Sequence, residues 1–327
     1  MADAPVRIGV LGAARIVPGA LVAPAQARDD IRLVAVAARD PDRARTFAAQ
    51  HGFVGYVSNY AQLIARDDID LVYIALPPSL HRDWTIAALD AGKAVLCEKP
   101  FAMNAAEARD MVDAAQRTGG VLIEAFHYCF HRLMRDACAL IADGAIGTPL
   151  TARASVEYPI PTGEGEPRWS NDLGGGALMD LGCYGIHALR SLLRCEPEVI
   201  AAQARIERGV DAATDARLRF ATIDAEFHAA MDPTAPATDV SIEGSEGRID
   251  INGLVLPQRS GRLLLTCGAT TREMPIEGPS SYAAQLDHVA AVLRGREAQI
   301  TGGLDAVANM SAIDAIKAAC AAPRSLV

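Results

Sequence analysis

The first 125 residues alternate short, β-rich and largely apolar runs with stretches of helix formers, and this rhythm restricts the fold more than any other feature. The runs lie at 6–11, 32–37, 54–57, 71–76, 94–97 and 121–124. A strand that is apolar at every position is buried on both faces, which points to a parallel sheet with helices on each side. The intervening segments, 16–27, 41–50, 60–65, 84–91 and 105–118, end near Gly52, Gly92 and Gly119-Gly120, as helices tend to do. Six strands in this rhythm are what a Rossmann-like, doubly wound α/β domain for dinucleotide binding requires.

After about Phe126 the pattern changes. A helix is expected at 133–143, a strand near 150–158, a Pro- and Gly-rich loop at 159–167 and a helix opened by Gly174-Gly175-Gly176. In 214–220, Ala216, Leu218 and Phe220 alternate with Asp215, Arg217 and Arg219. In 226–231, Phe227, Ala229 and Met231 alternate with Glu226 and His228. Such alternation marks an antiparallel sheet with two different faces. Helices at 282–294 and 304–321 close the chain. The expected organisation is a dinucleotide-binding domain at 1–125, then an α+β domain at 126–327 with a large open, mostly antiparallel sheet. An apolar face of that sheet left uncovered by its own helices would meet a partner, giving a homodimer or homotetramer.

A length of 327 residues agrees with two domains. The net charge of −9 argues against a nucleic-acid surface, which needs a basic face. No apolar run approaches membrane-spanning length, and Met-Ala-Asp-Ala-Pro-Val-Arg at the start has no apolar core of a signal peptide. The seven cysteines are odd in number and show no C-x-x-C spacing, which fits buried thiols in a reducing cytoplasm. His127 and His131 are four apart without an acidic companion, so no metal is expected. The G-x-S-x-G elbow of a serine hydrolase is missing.

At the cofactor end, the chain runs from the first strand into Gly12-Ala13-Ala14-Arg15-Ile16. A tight turn there lets backbone N–H groups face a pyrophosphate. The G-x-G-x-x-G fingerprint is imperfect, with Ala14 in its second place and Val17 in its third. Arg39 stands at the end of the second strand, with Arg43 and Arg45 close behind. An acid at that place would bind the 2′-hydroxyl of NAD, whereas arginine suits a 2′-phosphate, so NADP(H) is expected over NAD(H). Leu76-Pro77-Pro78 and His81 follow the fourth strand, at the sheet edge where ligands sit.

Two further stretches carry chemistry. Cys97-Glu98-Lys99-Pro100 places a lysine after an apolar run, and the glycine-opened helix places Asp180 and Tyr184 one turn apart on one face. A cation beside a phenol can lower its pKa from about 10, and such a pair can move a proton at neutral pH. Taken singly, Lys99 also reads as a surface lysine, Asp180 as a cap and Tyr184 as a core phenol.

In this order, the Gly12 turn, Glu98-Lys99-Pro100, Glu124-Ala125-Phe126, the Gly-rich helix entry with Asp180 and the stretch Asp305-Ala306-Val307-Ala308-Asn309-Met310 resemble the Gfo/Idh/MocA oxidoreductase family over essentially the whole length. Tyr184, where many members have histidine, resembles the branch of D-xylose dehydrogenase, dimeric dihydrodiol dehydrogenase and glucose–fructose oxidoreductase. The resemblance implies a dehydrogenase acting on CH–OH groups of a sugar, polyol or cyclic diol. It implies Tyr184 as acid/base, Lys99 on the reacting hydroxyl and the cofactor, and Asp180 on a substrate hydroxyl or on Lys99. It places Glu98, Arg168 and Trp169 with the cofactor, His81 with the cofactor and, like His127, on the substrate pocket, His187 among the substrate partners, and Tyr158, Arg168 and Trp169 around the opening. Relatives that sense nucleotide or sugar, or cleave glycosides through NAD, are the alternatives. Three departures stand out: Cys129 where relatives carry arginine, Pro78 for asparagine, and Ala14 for glycine.

Overall fold

The computed structural model describes residues 4–322. They form two compact units, 1–127 with 282–307, and 128–281 with 308–327, the described residues of each being considered by themselves.

The first unit is built on β1 (Val6–Leu11), β2 (Ile31–Ala37), β3 (Gly55–Val57), β4 (Leu71–Ile74), β5 (Ala94–Cys97) and β6 (Leu122–Glu124). The six strands are all parallel, in the order β3-β2-β1-β4-β5-β6. Reversal of direction at β1/β4 creates the crevice that dinucleotides use in such sheets. β4 is buried at every residue, and β1 at all but one, as expected for strands covered on both sides.

The helices start and stop where local chemistry dictates. α1 (Ala23–Gln26) is short; it follows a π-turn at Pro18–Val22 rather than forming part of one helix from residue 16. Pro18 and Pro24 lack the N–H donors that an unbroken ladder needs. α2 (Pro41–His51) is capped by the Asp40 carboxylate, which accepts from the N–H groups of Asp42 and Arg43, and it ends on left-handed Gly52. α3 (Tyr60–Ile64) and α4 (His81–Asp90) follow, the latter starting three residues earlier than the pattern suggests. α5 (Ala105–Thr118) opens with Asn104, whose side chain accepts from Glu107 N–H at 2.9 Å, while Glu107 reaches back to Met103 N–H at 3.2 Å.

In the second unit come α6 (Arg132–Ala142), β7 (Pro149–Glu157) and α7 (Cys183–Leu193). They are followed by β8 (Pro197–Glu207), β9 (Val210–Phe220), β10 (Ile223–Ala230), β11 (Ala237–Gly244) and β12 (Arg248–Asn252). The short α8 (Pro257–Ser260), β13 (Arg262–Cys267) and β14 (Thr270–Met274) complete the run. Eight strands form one sheet in the order β14-β13-β12-β11-β7-β10-β9-β8, antiparallel except at the parallel β7/β10 pair.

One face of this sheet buries Ala154, Val156, Leu218, Phe227 and Ile242. α7 lies against it at close range, because Gly182 and Gly185 have no Cβ: one built there would come within 2.9 and 3.1 Å of the Phe227 ring. The other face corrects an expectation. It is not an uncovered apolar surface but a charged one, with Arg153, Glu226 and Arg217 in register across β7, β10 and β9, and Asp215 at 2.7 Å from His228. The apolar side chains of the alternating strands are those that α7 covers.

α9 (Ser281–Leu293) and α10 (Gly303–Ala321) close the chain. Residues 282–307 group with the first unit, not with the second domain as the expected boundary at 126–327 had it. The reason is packing: Leu286, Val289 and Ala290 of α9 enter the same core cluster as Val6, Ile8 and Leu33. Ion pairs from Arg28 to Asp287 and from Arg294 to Asp30 flank that contact. Among the described residues no helix is long and apolar enough to cross a membrane.

Candidate functional site

In the first unit the expected cofactor residues gather at the carboxyl ends of the strands. Gly12 follows β1 with φ +106°, and its N–H donates to Ala37 O at 2.8 Å. A Cβ on Gly12 would fall on the Ala75 carbonyl oxygen, so both the left-handed backbone and the close approach demand glycine. Ala13 and Ala14 continue the turn, with Arg15 and Ile16 exposed beyond it. Arg43 reaches from α2 to donate to Ala13 O at 2.7 Å, so an exposed arginine braces the turn. Arg39 is exposed directly after β2. Burial pushes the Tyr60 phenol up, against the opposing charges of Arg39 and Arg43 nearby.

After β4, Leu76 is buried while Pro77 and Pro78 are half-buried. His81 corrects an expectation. It does not line a pocket; it is 0% exposed, and both ring nitrogens face backbone carbonyls, Nε2 toward Leu76 O at 2.7 Å and Nδ1 toward Pro100 O at 3.0 Å. A ring enclosed in this way has no edge to offer a ligand.

Glu98 and Lys99 follow β5 and are half-buried. The Glu98 N–H donates to Ile74 O at 3.0 Å, and its carboxylate accepts from the buried Tyr73 hydroxyl. The Lys99-Pro100 bond is cis. His127 is 3% exposed, its ring lying on Tyr282 with centroids 4.0 Å apart.

In the second unit, Asp180 sits in a π-turn at Leu178–Gly182 and Tyr184 in the first turn of α7. Asp180 is half-buried and Tyr184 buried. The Tyr184 ring meets Tyr128 edge-on at 5.8 Å, and the Tyr128 hydroxyl lies 2.6 Å from His187 Nδ1. His187 is thus buried with Nδ1 committed to an internal partner. Asn309 Nδ2 donates to Cys183 O at 3.3 Å, steadying the start of α7.

Tyr158 is exposed at the end of β7. Arg168 pairs with Glu166 through Nε at 2.7 Å and Nη2 at 3.0 Å; this bond, with the charges of Asp180 and Tyr158, holds its guanidinium above the usual range. Trp169 Nε1 donates to Ile160 O at 3.1 Å. Arg168 O accepts from Gly176 N–H at 3.0 Å, so this loop folds onto the glycine-rich entry itself.

Sequence reasoning overlooked Asp211 of β9. Its Oδ2 accepts from Leu178 N–H and from Thr214 Oγ1, both at 2.7 Å, and burial pushes its carboxyl up. Gly176, φ +110°, makes room for it, since a Cβ there would fall on Asp211 Oδ1. Only the run of glycines hints that something approaches closely. Among the described residues no three His, Cys, Asp or Glu groups converge as for a metal ion.

The donor set suits a dinucleotide: a glycine turn stripped of side chain at the sheet's switch point, arginines beside the next strand, and a lysine at the end of β5. Comparison with known proteins points the same way. Residues 6–126 match the model of the oxidoreductase family with NAD-binding Rossmann fold, and residues 134–250 match the GFO/IDH/MocA C-terminal domain. The chain is 30% identical to D-xylose 1-dehydrogenase (NADP(+)) 2 of Haloferax volcanii, over 94% of this chain and 95% of that one. It is 35% identical to trans-1,2-dihydrobenzene-1,2-diol dehydrogenase of Xenopus laevis, over 68% of this chain and 67% of the relative. The crystal structure of KijD10, a 3-ketoreductase from Actinomadura kijaniata with NADP and TDP-benzene, superposes with a TM-score of 0.89 at 28% identity, covering 96% of this chain and 98% of that one. With both halves matched in order, and the glycine turn, lysine and helix entry each on the element the pattern requires, this chain belongs to the GFO/IDH/MocA family of oxidoreductases.

Proposed function

We propose that this oxidoreductase uses NADP(H) and acts on a hydroxyl-bearing carbon of a sugar, polyol or cyclic diol, or on the matching carbonyl. The observation that carries the reading is the occurrence, within one chain of this family, of Lys99 directly after β5 and of Asp180 and Tyr184 at the glycine-opened helix entry. The H. volcanii relative is named for D-xylose and NADP, and the X. laevis relative for a cyclic diol. The 3-ketoreductase was crystallised with NADP as a lysine-to-alanine and as a tyrosine-to-phenylalanine variant.

Gly12 to Ile16 would hold the pyrophosphate, Arg39 and Arg43 the 2′-phosphate, and Leu76 to Pro78 with Glu98 the nicotinamide side. Bound there, the nicotinamide supplies the hydride acceptor or donor. Tyr184 Oη takes the hydroxyl proton during oxidation and returns it during reduction; a positioned acid/base is worth about 10²–10⁴-fold. The Lys99 ammonium stabilises the developing alkoxide and favours the tyrosinate. Asp180 accepts from a substrate hydroxyl, with Arg168 as its cationic neighbour. Tyr158, exposed, and Trp169, half-buried, would line the substrate opening in the second unit.

On this reading the first unit holds the cofactor and the second the substrate. The charged open face of the eight-stranded sheet is the face we assign to a homodimer or homotetramer. The seven cysteines are all free thiols, which suits a reducing cytoplasm.

The test is a stopped assay at the reduced-nicotinamide absorbance band, with NADP or NAD and a panel of D-xylose, D-glucose, glycerol and trans-1,2-cyclohexanediol. Turnover of at least one with NADP supports the assignment. Tight NADPH binding with turnover of none, in either direction, favours a sensor.

A further inference from the structure

We propose that His81 is a positioning residue for Lys99, a buried imidazole that joins the loop after β4 to the Lys99-Pro100 turn after β5. The inference rests on the reading of Lys99 as the ammonium at the nicotinamide.

The ring is wholly enclosed. Nε2 lies 2.7 Å from Leu76 O, and Nδ1 lies 3.0 Å from Pro100 O and 3.3 Å from Phe101 O. These carbonyls lie beyond the strand ladders, where buried acceptors must find another donor. A neutral imidazole carries one N–H, so the ring donates to one of these loops and lies in contact with the other; the two stand 23 residues apart when counted from Leu76 to Lys99.

Both loops touch the proposed chemistry. Leu76 follows Ala75, whose carbonyl abuts Gly12 in the phosphate turn. Pro100 follows Lys99 directly. On the other side of Lys99, Glu98 is held to β4 by its N–H to Ile74 O at 3.0 Å and by the Tyr73 hydroxyl. The lysine backbone is bracketed: Glu98 secures it upstream and His81 downstream. Because a misplacement of about 1 Å can cost about 10²-fold, such a bracket matters even though the ring touches neither cofactor nor substrate. A fully buried polar ring is costly unless bonded, so its place here is explained by the carbonyls it meets.

The test exploits the three lysines of the chain, Lys93, Lys99 and Lys317. The full-length protein is reductively methylated with ¹³C-formaldehyde, and each dimethyl-lysine signal is followed by NMR. His81→Ala should displace the Lys99 signal by more than its linewidth and leave Lys93, at the opposite end of β5, and Lys317 in place. General loss of structure would move Lys93 as well. His81→Gln, which can replace one of the bonds, should shift the Lys99 signal less, and it carries the test if the alanine variant does not fold. Lys99 signals that superimpose on wild type in both variants overturn the inference. NADPH added to the wild type checks the underlying reading separately: an unmoved Lys99 signal removes that reading whatever the variants do.

Discussion

Asp211 Oδ2 accepts a 2.7 Å hydrogen bond from Leu178 N–H, so a carboxylate on β9 caps the turn that presents Asp180 and leads to Tyr184. The pair is 33 residues apart. It ties the π-turn to the sheet and explains the last of the three glycines, Gly176, while Gly175 makes room for the Arg168 carbonyl.

Replacing Asp211 by alanine should leave Leu178 N–H and Thr214 Oγ1 without their acceptor. Leaving a buried donor unpaired costs about 1–3 kcal/mol. Urea denaturation should show a loss of this size, and turnover should fall while NADPH binding, which we assign to the other unit, stays within about threefold. Full turnover in Asp211→Ala would show that the cap does not position Tyr184.

Asp30 anchors the returning helix α9 through Arg294 and also binds Arg28. The Arg28 hydrogen bonds, with help from Arg294, hold its carboxyl well below the usual range. Its folded pKa is depressed, so its contribution is present above the unfolded value of about 3.9 and is lost as pH falls below it. The carboxylate is 35% exposed, so screening reduces the contribution to about 1 kcal/mol. Asp30→Asn should lower stability by that amount at pH 7, and the difference from wild type should shrink toward pH 2. A constant difference across that range would place the effect elsewhere.

Gly12→Ala should weaken NADPH binding at least about tenfold, since the added methyl meets Ala75 O and the backbone is left-handed. Titration of NADPH fluorescence measures this directly; unchanged affinity would move the phosphate turn to another loop.

Arg39→Asp should reverse the choice between NADP and NAD, because an acid at this place accepts from a ribose hydroxyl and repels a phosphate. The ratio of the two binding constants should change by at least about tenfold. An unaltered ratio would assign the 2′-phosphate to other groups, Arg43 first among them.

Most strands of the first unit were legible because burial on both faces leaves them nearly all apolar: 94–97 and, but for Arg7, 6–11 are apolar and coincide with β5 and β1 residue for residue. Turn chemistry also showed through at the closing Gly52 and Gly119, while the Asp40 and Asn104 caps came to light only in the structure. What stayed hidden depends on contacts between residues distant in the chain. Nothing local marks Asp211 as a cap, or the return of α9 to the core around Val6 and Ile8. His81 carried a motif-like position but not its role, which comes from carbonyls 5, 19 and 20 residues away. The second sheet disclosed two faces by alternation; that its apolar face is covered follows from Gly182 and Gly185 letting α7 approach. Lys99, Asp180 and Tyr184 were singled out by residue type and family order; Lys99 follows β5, Asp180 lies in the π-turn at Leu178–Gly182 and Tyr184 in α7.

In the proposed chemistry an ammonium and a phenol act together on one hydroxyl. The direct measurement is single-turnover hydride transfer with the substrate found active in the panel, compared among wild type, Lys99→Met and Tyr184→Phe, beside NADPH affinity for each. Both variants should lose at least about 10²-fold in the rate of transfer while binding NADPH within about threefold of wild type. Wild-type rates in both variants would contradict the proposed chemistry.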